Sequence, residues 1–132
     1  MNSLQIAEEF EEELIRMRRV LHAHPELSWE EYNTQKTIIE ILSREGIKYI
    51  TPYKTAVIAF VSGEKSDAAS SEAGKKKILG IRADIDALPI QEKNVCSFTS
   101  EQDGVMHACG HDAHTAILLA AAILAHRHRA EF

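Results

Sequence analysis

Apolar residues recur at three- and four-residue steps near the start of the chain, where Ile6, Phe10, Leu14, Met17 and Leu21 stand among acidic and basic neighbours. That period predicts an amphipathic helix over residues 4–21 lying on a core, capped by Asn2 or Ser3. Pro25 interrupts the pattern. Ser28-Trp29-Glu30-Glu31 then offers a cap followed by acidic residues, and Tyr32, Ile38, Ile39, Ile41 and Leu42 mark one side of a second helix over 29–45, which Gly46 ends. Beyond it, residues 47–50 and 55–61 are β-branched and aromatic runs of strand length. Residues 63–76 have no apolar period and read as a solvated loop, its lysines 75–77 as a charged strand entrance rather than a basic patch. Residues 77–83 are apolar enough for a central strand, residues 92–104 are polar loop, and residues 116–126 are small and apolar on nearly every side, as in a buried helix. The fold class is therefore α/β: a helical hairpin, then strands, then a buried helix.

The chemistry concentrates just before that last helix. Val105-Met106-His107-Ala108-Cys109-Gly110-His111-Asp112-Ala113-His114-Thr115 holds three histidines, a cysteine and an aspartate. Thiolate and imidazole are ligands for borderline-soft divalent ions such as zinc, manganese, cobalt or nickel. Gly110 lets the chain bend so that Cys109 and His111 converge, which residues two apart on an unbroken helix do not. Asp112 suits the first helical turn, where a carboxylate meets free amides. A cysteine nucleophile with His107 or His111 as base is a second reading, and a buried cysteine with surface histidines a third. The number of histidines favours the metal.

Upstream, Arg82, Asp84 and Asp86 leave the predicted strand together. Two carboxylates there need partners or donors. One reading pairs Arg82 with a carboxylate; the other has Asp84 hydrogen-bonding the outer nitrogen of a metal-binding histidine. His22 and His24 alternate before Pro25, and a capping role at the end of the first helix fits them better than metal binding.

The 132 residues fit one domain of ordinary apolar content, and a formal net charge of −5 disfavours nucleic acid and anionic membrane as partners. No stretch has the length of a membrane-spanning helix, and the acidic start is unlike a signal peptide, so a cytoplasmic location is expected. Of the two cysteines, Cys109 must stay a free thiolate if it binds metal, which leaves Cys96 a structural role.

Three blocks together carry a family resemblance. Met106-His107-Ala108-Cys109-Gly110-His111-Asp112-Ala113-His114-Thr115-Ala116 resembles the signature of the M20 metallo-amidohydrolases, in the branch of hippurate hydrolase, N-acyl-L-amino-acid amidohydrolase and auxin-conjugate hydrolase. Leu79-Gly80-Ile81-Arg82-Ala83-Asp84-Ile85-Asp86-Ala87-Leu88-Pro89-Ile90-Gln91-Glu92 resembles the strand and loop before it, and Arg18-Arg19-Val20-Leu21-His22-Ala23-His24-Pro25-Glu26-Leu27-Ser28 resembles the N-terminal motif. The blocks occur in the family's order and with similar spacing.

The resemblance implies that residues 1–132 are the amino-terminal portion of one zinc-peptidase-like catalytic domain, whose helical hairpin packs on the catalytic sheet. The dimerisation or lid domain and the carboxy-terminal part of the catalytic domain are absent. It implies that Cys109 binds and bridges two divalent ions, that His111 is a ligand of one, and that Asp84 orients a metal ligand. Asp86, His107, Asp112 and His114 would line or support the loop. More distant members have a metal-binding histidine where this chain has Arg82, so that ligand comes from elsewhere. The family's general base, a glutamate of a later Glu-Glu pair, is not in this chain. The implied reaction of the complete protein is hydrolysis of an N-acyl or N-aroyl amino acid by a metal-activated water, in a homodimer or homotetramer, and this portion alone is expected to be inactive. The competing expectation is a small non-enzymatic metal- or redox-sensing domain built on Cys109 and its histidines.

Overall fold

The computed structural model describes residues 3–64 and 78–132. Helix α1 (Ser3–Glu9) runs into α2 (Glu11–Ala23), and α3 (Tyr32–Arg44) returns. Strands β1 (Lys48–Ile50) and β2 (Ile58–Phe60) follow, and α4 (His111–Arg127) comes after a long irregular segment, ending in a short 3₁₀ turn, Arg129–Glu131.

The predicted first helix thus forms in two pieces. Phe10 sits between them with φ −99° and ψ 0°, and its ring is buried while Arg127 of α4 lies over it at 5.5 Å. The break turns Phe10, Met17 and Leu21 onto one core with Ile38, Ile41 and Leu42 of α3 and Ala116, Leu119, Ala120 and Ile123 of α4. Small residues on α4 let it lie close along α2, its main neighbour, and over α3.

The second helix begins at Tyr32, three residues later than the pattern of Ser28 indicated. Trp29 takes φ +70°, which no helix allows, and the cap comes from upstream. The Glu26 carboxylate accepts from the amides of Asn33 (3.1 Å) and Thr34 (2.8 Å), and from both of their side chains at 2.8 Å. At the other end Gly46, at φ +71°, gives its amide to Ser43 O (3.1 Å), and Ile47 gives its own to Leu42 O (2.9 Å). This paired closure needs a left-handed residue and so uses the glycine.

β1 and β2 pair antiparallel, Tyr49 opposite Ala59, with Tyr49 packing inward against the helical core. The central strand predicted over 77–83 is the main correction. Lys77 and most of the predicted loop 63–76 lie outside the described residues. In residues 78–83 no ladder forms, and Ile78, Leu79 and Ile81 are exposed at 93, 82 and 64%. A strand's backbone is satisfied by its neighbours rather than by itself, and none runs beside this segment among the described residues. Further on the chain is tied down: Ala87 N donates to Glu26 O (2.8 Å), and Leu88 exchanges two 3.0 Å bonds with Met106. Among the described residues no helix is long and apolar enough to cross a membrane.

Candidate metal centre

Gly110 is the pivot. It precedes α4 with φ +90° and ψ 13°, and its carbonyl accepts from the amides of Ala113 (3.0 Å) and His114 (3.1 Å). A left-handed residue of this kind costs a side-chain-bearing residue about 1–2 kcal/mol. The turn leaves Cys109 exposed on one side and carries His111 into the half-buried mouth of the loop on the other.

His111 is held from behind. Its Nδ1 lies 2.9 Å from Asp86 Oδ1 and 3.1 Å from the Asp86 carbonyl, both acceptors, so Nδ1 carries the hydrogen. The neutral ring then keeps its lone pair on Nε2. This is the tautomer selection by a carboxylate that metal-binding histidines use, and it falls to Asp86 where the sequence pointed to Asp84. Asp84 instead bonds Arg82 Nη2 at 2.6 Å on the surface, the alternative pairing, while its carbonyl accepts from Thr115 Oγ1 at 3.1 Å. Which of two alternating carboxylates reaches His111, 25 residues further on, is a tertiary outcome that spacing does not record.

The remaining loop residues separate by depth. His114 is exposed, its ring 6.1 Å from that of His111. His107 is 4% exposed, and neither ring nitrogen has a partner among the described residues. Burial pulls its pKa below the ordinary 6.5 against the opposing pull of Asp112, which keeps the ring neutral at neutral pH. Asp112, 1% exposed, does not cap α4. Its Oδ2 accepts from Arg18 Nε (2.9 Å) and His22 Nδ1 (2.7 Å), both on α2. His22 reaches onward with Nε2 to Glu92 Oε1 at 3.1 Å. The capping role expected of His22 and His24 therefore divides: His24 stands at the end of α2, exposed, whereas His22 is buried in a charged cluster. Arg18, His22 and Glu92 are the residues the motif reading missed. All three lay in the quoted blocks, but 70 and 90 residues separate His22 from its partners.

The donor chemistry fits a borderline-soft ion: an exposed thiol and an imidazole with its outer nitrogen already occupied. Among the described residues no group of three metal-binding side chains assembles, so a four-coordinate site that used Cys109 and His111 would need donors from elsewhere.

The frame is one of mixed helix and strand, with a cysteine–glycine–histidine bend at the start of its last long helix. Residues 80–132 match the pattern of peptidase family M20/M25/M40. The chain is 46% identical over 124 residues to the N-acetylcysteine deacetylase of Bacillus subtilis and 44% identical over 119 residues to an N-acyl-L-amino acid amidohydrolase of Geobacillus stearothermophilus. These alignments cover 92 and 89% of this chain, and it spans 30% of the length of each relative. The crystal structure of the Bacillus subtilis YXEP protein, described as a dinuclear metal binding peptidase from the M20 family, superposes on 94% of this chain with a TM-score of 0.82 at 46% identity, using 33% of its own length. The chain belongs to peptidase family M20.

Proposed function

We propose that this chain carries the first metal-binding loop of a metal-dependent amidohydrolase that cleaves N-acyl or N-aroyl amino acids. The reading further takes residues 1–132 as the opening portion of its catalytic domain. The observation that carries it is the pair on either side of Gly110: an exposed Cys109 and a His111 whose Nδ1 is held by Asp86. The names of the two relatives support the substrate class.

Cys109 and His111 Nε2 would contribute to holding two divalent ions, zinc, manganese, cobalt or nickel. Bound there, the ions supply Lewis acidity toward an amide carbonyl and toward water. The chain's own residues prepare the site: Gly110 sets the bend, Asp86 holds the histidine tautomer, and Asp112 anchors the helix start from inside. Asp84 stands at the rim, where its charge is shared with Arg82. The proton acceptor and the remaining ligands come from polypeptide outside this chain, and the assembled enzyme is a homodimer or homotetramer of the cytoplasm, where the exposed thiols of Cys96 and Cys109 stay reduced.

Titration of the chain with cobalt(II) tests the reading. A thiolate-to-cobalt charge-transfer band is expected that disappears in Cys109→Ser, weakens in His111→Ala and persists in His114→Ala. A band unchanged by Cys109→Ser would refute it. The chain by itself is expected to turn over neither N-acetylmethionine nor hippurate with manganese or cobalt added.

A further inference from the structure

The buried cluster behind the loop is more than packing. His22 is 3% exposed, and each ring nitrogen faces a carboxylate, Asp112 on one side and Glu92 on the other. Arg18 Nη2 also approaches Nδ1, at 3.2 Å, so the ring is enclosed on every polar side by the cluster. Arg18 and His22 against Asp112 and Glu92 make one hydrogen-bonded cluster, and it joins α2 to two separate stretches of chain.

Those stretches are the two ends of the metal loop. Asp112 lies one residue past His111, at the loop's exit. Glu92 accepts from the amide of Ser100 at 2.7 Å, and Ser100 Oγ donates to Val105 O at 2.7 Å, which reaches the loop's entrance. One imidazole on α2 thus grips both ends of the segment that presents Cys109 and His111. We infer that His22 is a positioning residue that clamps the entrance and exit of this loop and so sets the separation of its two donor side chains. The inference rests on the metal reading of Cys109 and His111 for its purpose, and on the hydrogen bonds alone for its geometry.

Three variants separate the two ends. His22→Phe keeps the volume and loses both bonds. His22→Asn places an amide nitrogen where Nδ1 stood and retains the bond to Asp112. His22→Gln extends to Glu92. In the 132-residue chain, cobalt(II) affinity is expected to fall on the order of 10- to 100-fold in His22→Phe, the usual cost of losing a residue that orients a metal ligand. Part of this loss is recovered in each amide variant. Amide hydrogen exchange gives a reading without metal: His22→Asn accelerates exchange at Ser100 and Val105, while His22→Gln accelerates it at Ala113 and His114. Ile38→Ala, in the core of α3, is the control for general loosening.

The inference is overturned if His22→Phe leaves cobalt affinity and loop exchange at wild-type values, if both amide variants accelerate both ends equally, or if Ile38→Ala reproduces the loss. Should His22→Phe not fold, the two amide variants carry the test. Should the wild-type chain give no thiolate band, the metal reading falls while the exchange pattern still decides the clamp.

Discussion

Helices α3 and α4 both begin beside a carboxylate, and the two carboxylates do opposite things. Glu26 turns toward the start of α3 and takes two of its free amides. Asp112 belongs to the first turn of α4 yet turns away from it, toward Arg18 and His22 of α2. The first is local capping, in which neighbours in sequence satisfy one another. The second leaves the start of α4 open, closed only by the left-handed Gly110, and holds it by tertiary contacts instead. The start of α4, beside Cys109 and His111, is therefore located by the core, while the start of α3 is located by its own sequence.

The largest effect expected from breaking this comparison is Asp112→Ala. It strands Arg18 and His22, and removing one partner of a buried ion pair costs about 3–5 kcal/mol. Urea unfolding measures it, and a loss no greater than that of Glu26→Ala would erase the distinction. Gly110→Ala comes next, at about 1–2 kcal/mol from backbone strain alone, since nothing lies within 4 Å of the added carbon. Gly46→Ala meets the same open space at φ +71° and should cost the same, but only the change at Gly110 should disturb cobalt binding. Equal effects of the two on cobalt would mean that the bend has no special role.

Glu26→Ala should cost about 1 kcal/mol, the usual value of a cap, and leave cobalt affinity within twofold, on the order of experimental error for so small a term. The smallest effect is on pH dependence. Partial burial raises the Glu26 pKa, but the amides and side chains of Thr34 and Asn33 outweigh it, so the folded value lies below the ordinary 4.5. A carboxyl with a depressed folded pKa stabilises fully above its unfolded value and loses that contribution as pH falls through the folded one. Glu26→Gln should accordingly flatten the decline in unfolding midpoint as the pH falls below the ordinary glutamate range. An unchanged acid limb would show that the charge at this cap is not felt.

Much of this was legible beforehand where the cause is local. The apolar periods of α2, α3 and α4, the stop at Gly46 and the bend at Gly110 depend on residues within a turn of each other, and each is found in the structure. So was the class of chemistry, because a cysteine and histidines crowd one junction. The expected use of Asp84 against the histidine was misplaced by two residues, since which carboxylate reaches the ring depends on a partner 25 positions away. The break at Phe10 was missed because the apolar period runs through it unchanged.

By itself the sequence determined the apolar periods of α2, α3 and α4, the stop at Gly46 and the bend at Gly110, all of which follow from backbone preferences and spacing over a few residues. Tertiary structure alone decided that His22 meets both Asp112 and Glu92, that Asp86 rather than Asp84 supports His111, and that residues 78–83 form no ladder. Those outcomes depend on partners far along the chain. A hydrogen bond or a strand pairing exists only when its second member arrives, and no local pattern encodes that arrival.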